Sequence, residues 1–158
     1  MNPNDFLAAA QAGDLQQVRM SLEAGCNIEA RHEGWTALLL AAECGHLPIV
    51  QLLLDKGANP NAKLPSGSSV LHRAAYGGHR GVAEALVRAG AAIDATDGEG
   101  ATPLYLAAQE GHEAMVRFLL EKRANSQARA YDGSTPCIMA RQEGHRTVLA
   151  LLEDALGR

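Results

Sequence analysis

Aromatic side chains are scarce in this sequence, 4% of 158 residues with a single tryptophan. A core without large rings must be filled by Ala, Leu and Val, and helices are the natural setting for that mixture. Basic clusters are missing as well. The formal net charge is −4, and no run of Lys and Arg supplies the positive field that a phosphate backbone demands, which argues against nucleic acid as a partner. Apolar runs are short. Ile49–Leu54 is interrupted by Gln51, and nothing approaches the roughly 20 residues that span a bilayer, so no membrane segment is expected. Residues 1–5 are polar and lead into no basic-then-apolar stretch, so no secretory signal is visible. Cys26, Cys44 and Cys137 are odd in number and form no CxxC pair. They read as reduced thiols in partly buried positions. Together with the lack of an N-x-S/T acceptor site, they point to the cytoplasm, with the nucleus as the other option. The length suits one domain over residues 1–158.

What is present is repetition. The dipeptide Gly45-His46 returns as Gly78-His79, Gly111-His112 and Gly144-His145, each 33 residues after the last, and Gly13-Asp14 is an earlier copy. Thr36-Ala37, Ser69-Val70, Thr102-Pro103 and Thr135-Pro136 keep the same step, as do Ala41-Ala42, Ala74-Ala75 and Ala107-Ala108. Self-similarity at this period is the mark of stacked supersecondary units.

Physical roles follow position by position. The hydroxyls of Thr36, Ser69, Thr102 and Thr135 head short apolar runs, where they can accept bonds from free helix N–H groups as N-caps. Pro103 and Pro136 then occupy the first helical position. The glycines at 13, 45, 78, 111 and 144 come too soon for a long helix and should end a short one in a left-handed turn. A second helix follows, with Ile49, Val50, Leu53 and Leu54 and their counterparts at three-and-four spacing. It closes at Gly57 and Gly90, before polar segments with the turn residues of a hairpin-like connection. Helices this short are marginal alone in water, so neighbours must stabilise them. The paired alanines allow that close approach.

In these motifs, above all Thr102-Pro103-Leu104-Tyr105-Leu106-Ala107-Ala108, then Gly111-His112, then Leu119-Leu120, the chain resembles the ankyrin repeat family over nearly its whole length. The resemblance implies an all-α solenoid of about five stacked helix-turn-helix repeats with projecting hairpin loops, at about 2–30, 31–63, 64–96, 97–129 and 130–158. It also implies that the recurrent histidines bond backbone groups of adjoining loops. Several departures carry expectations. Unit one lacks the Thr-Pro head and has residues 2–5 instead. The segment 30–34 is one residue shorter than 62–67 and 95–100, so the first loop should be tighter. Arg141 replaces the second alanine in unit five, and both ends read as polar caps of a complete domain. Arg123 stands where other units have glycine, in a left-handed turn, at a cost of about 1 kcal/mol.

Catalytic and metal chemistry find little support. His46, His79, His112 and His145 lie one repeat apart, about 8–10 Å by helix spacing, whereas zinc needs its ligand nitrogens about 2 Å away. His72, in Ser69-Val70-Leu71-His72, matches the histidine of the family's Thr-Pro-Leu-His motif and reads as structural. Cys44 is close to His46 in sequence, but no third group orients the pair. Gly77-Gly78 and Gly98-Glu99-Gly100 lack the Lys-Ser/Thr ending of a phosphate loop. No enzyme, metal site or cofactor is expected.

The family resemblance implies recognition through a concave face of loop tips and first helices. Carried over by position, that face holds His32, Glu33, Trp35 and Glu43 in unit two, and Ser66, Ser68 and Tyr76 in unit three. In unit four it holds Glu99, Ala101, Gln109 and Glu110, followed by Arg129, Tyr131, Asp132, Ser134, Gln142 and Glu143. Trp35 has Ser68, Ala101 and Ser134 as repeat counterparts, so the stack itself does not require an indole there, although it could simply cover its neighbours. Tyr76 and Tyr131 add aromatic area of the kind found at binding hot spots. Acidic residues predominate along the groove, which favours a protein partner of basic or mixed charge, or else is a solvated rim. The expectation is a monomeric adaptor or scaffold for protein binding. The alternative is a regulatory or targeting subunit of a larger complex or longer chain.

Overall fold

A computed structural model describes residues 2–157. Its helices are α1 (Pro3–Ala12), α2 (Leu15–Glu23), α3 (Ala37–Cys44), α4 (Leu47–Asp55), α5 (Val70–Gly77), α6 (Arg80–Arg88), α7 (Pro103–Glu110), α8 (Glu113–Glu121), α9 (Pro136–Gln142) and α10 (Arg146–Leu156). Among the described residues there is no β-strand, and no helix is long and apolar enough to cross a membrane.

The first helices of the pairs stack in order, α1 on α3, α5, α7 and α9, and the second helices form a parallel row from α2 to α10. Small side chains set the first row. Ala41, Ala42, Ala74, Ala75, Ala107 and Ala108 are fully buried, and because none projects far, successive helices come close enough to exclude water. Leu38, Leu71 and Leu104 continue that core toward Ile49, Leu53, Leu86 and Leu119 of the second row. Burial of this kind, about 1.5–3 kcal/mol per large aliphatic side chain, supplies what such short helices lack by themselves.

Helix starts follow the cap chemistry. Thr36, Ser69, Thr102 and Thr135 each accept a bond from the backbone N–H three residues on, at 3.2–3.3 Å. Unit one has its own version of this head. Asn2 caps α1 by accepting from the Asn4 N–H at 3.1 Å, and Pro3 follows at the first helical position. Its lack of Thr-Pro is thus a change of residue and not of mechanism, because asparagine caps as well as threonine.

The first helices end at Gly13, Gly45, Gly78 and Gly111, with φ of +82°, +76°, +70° and +73°. The histidine after each of the last three starts a second helix but makes no side-chain cap bond to it. The ring reaches back to the preceding repeat instead. Nε2 of His46, His79, His112 and His145 donates to the carbonyls of Gln11, Glu43, Tyr76 and Gln109 at 2.7–2.9 Å. Each acceptor lies in the last turn of a first helix, where carbonyls have no partner within the helix. The ring also lies where a glycine Cβ would stand: a Cβ on Gly45 would come 2.5 Å from His79. Glycine is therefore required twice over, for its backbone conformation and for room.

The connections are hairpins. Leu64, Asp97 and Ala130 donate through their N–H groups to the carbonyls of Ser68, Ala101 and Ser134 at 2.9–3.0 Å. The first loop is tighter, as its missing residue implies: His32 and Trp35 exchange both backbone bonds, at 3.1 and 2.9 Å. Its two central residues, Glu33 and Gly34, have φ of +51° and +85°, the mirror-image turn that two-residue hairpins favour. Arg123 adopts φ +64°, the left-handed position held by Gly57 and Gly90 in the neighbouring units.

Candidate protein-binding surface

Side chains on the open face of the first helices recur at the repeat step. Leu40, Arg73, Leu106 and Met139 are equivalent and all half-buried, so a charge interrupts an otherwise apolar row. Arg73 is held in place. Its Nη2 lies 2.6 Å from Glu43 Oε1, and its guanidinium carbon is 5.8 Å from the Trp35 ring centre and 5.2 Å from that of Tyr76. Each such contact stabilises by about 0.5–2 kcal/mol, more as it is desolvated. The Arg73 Nε is buried without a hydrogen-bond partner, so the guanidinium is placed by the carboxylate and the two rings. Four residues from three elements are thereby fixed as one neutral unit.

Beside it, Trp35 is half-buried and packs on the core. With Leu7, Ala8 and Leu40 it lines a cavity of about 480 Å³, rimmed by Asn4, Gln11, His32, Glu33 and Glu43. A second cavity, of about 380 Å³, lies between the last two hairpin tips, lined by Gly98, Glu99, Ala101, Tyr105, Ala130, Tyr131 and Asp132. Tyr131 is 79% exposed.

Most residues assigned to this face from the sequence are accessible on it. His32, Glu33, Ser66, Tyr76, Glu99, Glu110, Arg129, Tyr131, Asp132, Gln142 and Glu143 are exposed, while Trp35, Glu43, Gln109 and Ser134 are half-buried. Ser68 and Ala101 are not accessible, being only 6% and 3% exposed. They share the register of Trp35, where a small side chain is covered in units three and four, whereas the larger indole of Trp35 and Ser134 of the last unit are half-buried. Arg129 is turned onto its own hairpin, donating to the Gly133 carbonyl at 3.1 Å. Sequence reasoning missed Arg73, Leu106, Met139 and Tyr105. The signal for Arg73 was present, as the one charge at a repeat position otherwise filled by Ala8, Leu40, Leu106 and Met139.

Titratable groups here are not poised for nucleophilic chemistry. Burial and then Glu43 push the Cys44 thiol up, and burial and then Glu153 do so for Cys137, which keeps both protonated. His72 is fully buried. Its Nδ1 accepts from the Ser69 N–H at 3.1 Å and lies 2.7 Å from the Ser69 hydroxyl, while Nε2 donates to the Ala101 carbonyl at 2.9 Å. Burial pushes its pKa down, so the imidazole is a neutral link between two repeats. The four recurrent histidines each bond a different repeat and do not converge.

A family model described as ankyrin repeats (3 copies) matches residues 6–97 and again 71–157. Among curated proteins, the chain is 44% identical over 57 residues to the human mitochondrial disaggregase, covering 35% of this chain and 8% of that protein. It is 44% identical over 69 residues to the mouse B-cell lymphoma 3 protein homolog, covering 42% and 15%. It is 35% identical over 68 residues to the mouse 2-5A-dependent ribonuclease, covering 42% and 9%. The aligned segments thus take in less than a sixth of these relatives' length.

Proposed function

This chain belongs to the ankyrin repeat family, whose repeats are generally protein–protein interaction modules, and from that premise we propose that it is a non-catalytic module that holds a partner protein against its first helices and hairpin tips. The observation that carries the reading is the clamp of Trp35, Arg73, Tyr76 and Glu43 beside a cavity lined by Leu7, Ala8 and Leu40 with a polar rim. Rings fixed before a partner arrives lose little freedom on binding, and that lowers the entropic cost of association. Trp, Tyr and Arg are also the residue types that dominate interface energetics. A reducing compartment, the cytoplasm or the nucleus, fits the three free cysteines, and the module is proposed to act there as a monomer.

The test is affinity capture from native extract with wild-type protein and with the Trp35→Ala/Tyr76→Ala/Tyr131→Ala variant. A partner retained by the first and lost by the second, at unchanged helical circular dichroism, supports the reading; equal retention would sink it. A second reading, a regulatory or targeting subunit of a larger complex or longer chain, is favoured by the small share of each relative that the similarity covers.

A further inference from the structure

Building on that docking surface, we propose that the cavity between the last two hairpin tips is a subsite for one cationic side chain, Lys or Arg, of the bound segment. Tyr105 and Tyr131 line it, Ala101 and Ala130 give it an apolar floor, and Glu99 and Asp132 stand on it within about 380 Å³. The repeat counterparts of Tyr131 are Gly98 and Pro65, so no other pair of tips has the same wall.

Although Tyr131 is exposed, its position is fixed. Its N–H donates to the Glu99 carbonyl at 2.9 Å, and its ring covers Gly100 so closely that a Cβ there would stand 2.7 Å away. An aromatic face attracts a cation within about 6 Å of its centre. The lining includes two carboxylates and no base. The nearest base along that hairpin, Arg129, is engaged with the Gly133 carbonyl. Hydrogen bonds from Ser134 hold the Asp132 carboxyl below the usual range, so it is anionic at neutral pH. The Tyr105 phenol is pushed up, first by burial and then by Asp132, with Glu99 and Asp97 adding to the effect. A lysine can lay its aliphatic stem along the alanines and keep its ammonium among the carboxylates. An acidic side chain would meet like charge, and an aliphatic one would gain nothing from the two carboxylates.

The experiment is a nitrogen-15 NMR titration of the whole chain with capped Ala-Lys-Ala and Ala-Arg-Ala, against Ala-norleucine-Ala and Ala-Glu-Ala. The basic peptides should bind weakly, with Kd on the order of 1–10 mM. They should shift the amides of Gly98, Glu99, Ala101, Tyr131 and Asp132, and binding should weaken severalfold in Tyr131→Leu and in Glu99→Gln. Equal binding of norleucine, binding of the glutamate peptide, shifts confined to other sites, or no shift would each overturn the subsite. No lysine binding, with partner capture still dependent on Trp35, removes the subsite and leaves the docking surface standing. Lysine binding with capture indifferent to Trp35 and Tyr76 overturns the docking reading instead.

Discussion

His79 Nε2 donates to the carbonyl of Glu43 at 2.9 Å, while the carboxylate of that same glutamate holds Arg73 at 2.6 Å. One residue thus joins the bond that locks two repeats together to the clamp that sets the aromatic rings of the open face. Stack and surface are mechanically continuous at this point.

Loss of the ring should therefore be costly. His79→Ala leaves a last-turn carbonyl unpaired and a void over Gly45, and stability should fall by about 1–3 kcal/mol. Urea unfolding measures it. A midpoint unchanged from wild type would mean that solvent replaces the ring without loss.

Alanine in place of the glycines should separate room from conformation. Gly45→Ala meets both a +76° φ and a Cβ 2.5 Å from His79, whereas Gly144, at the same φ, has nothing within 4 Å. Gly144→Ala should cost about 1 kcal/mol, and Gly45→Ala clearly more, in paired thermal melts. Equal losses would show that steric contact contributes nothing.

Stability should fall on mild acidification through His72. Its pKa is lowered in the fold by burial, so below the ordinary value of about 6.5 the unfolded chain binds the proton that the folded chain refuses. This contribution is intact above about pH 6.5 and is lost as pH falls toward the folded-state value. Unfolding midpoints taken from pH 7.5 to 5.5 should drop less steeply in His72→Leu, which installs the residue found at the equivalent Leu39. An unaltered slope would place the acid sensitivity elsewhere.

Two strained turns should accept glycine with a gain. Glu33 and Arg123 have φ of +51° and +64°, so Glu33→Gly and Arg123→Gly should each raise stability by up to about 1 kcal/mol. Differential scanning calorimetry would register the higher Tm, and a lower one would reveal side-chain contacts that outweigh the strain.

Backbone chemistry was the legible part of this molecule. Thr36, Ser69, Thr102 and Thr135 announce helix starts because a hydroxyl before an apolar run has one natural use, and Gly45 and Gly78 announce helix ends for an equally local reason. The capping role of Asn2 was not legible because unit one departs from the hydroxyl-headed motif of the other units, although any short polar acceptor can cap a helix. The candidate surface was legible to the level of residue position, not of depth. Trp35 and Ser68 share a register, yet one stands half out and the other is covered, since burial depends on side-chain size and on the neighbouring hairpin. Arg73 stayed hidden because its importance comes from partners 30 and more residues away, Glu43 and Trp35, which only the stacked fold brings to it.

The most direct test is hydrogen–deuterium exchange of the chain alone and bound to the partner that wild-type protein retains. Protection is expected in the hairpin tips and first helices, above all in segments containing Trp35, Arg73, Tyr76 and Tyr131, with α4, α6 and α8 unchanged. Protection concentrated on α4, α6 and α8, with the tips unaffected, would contradict the account.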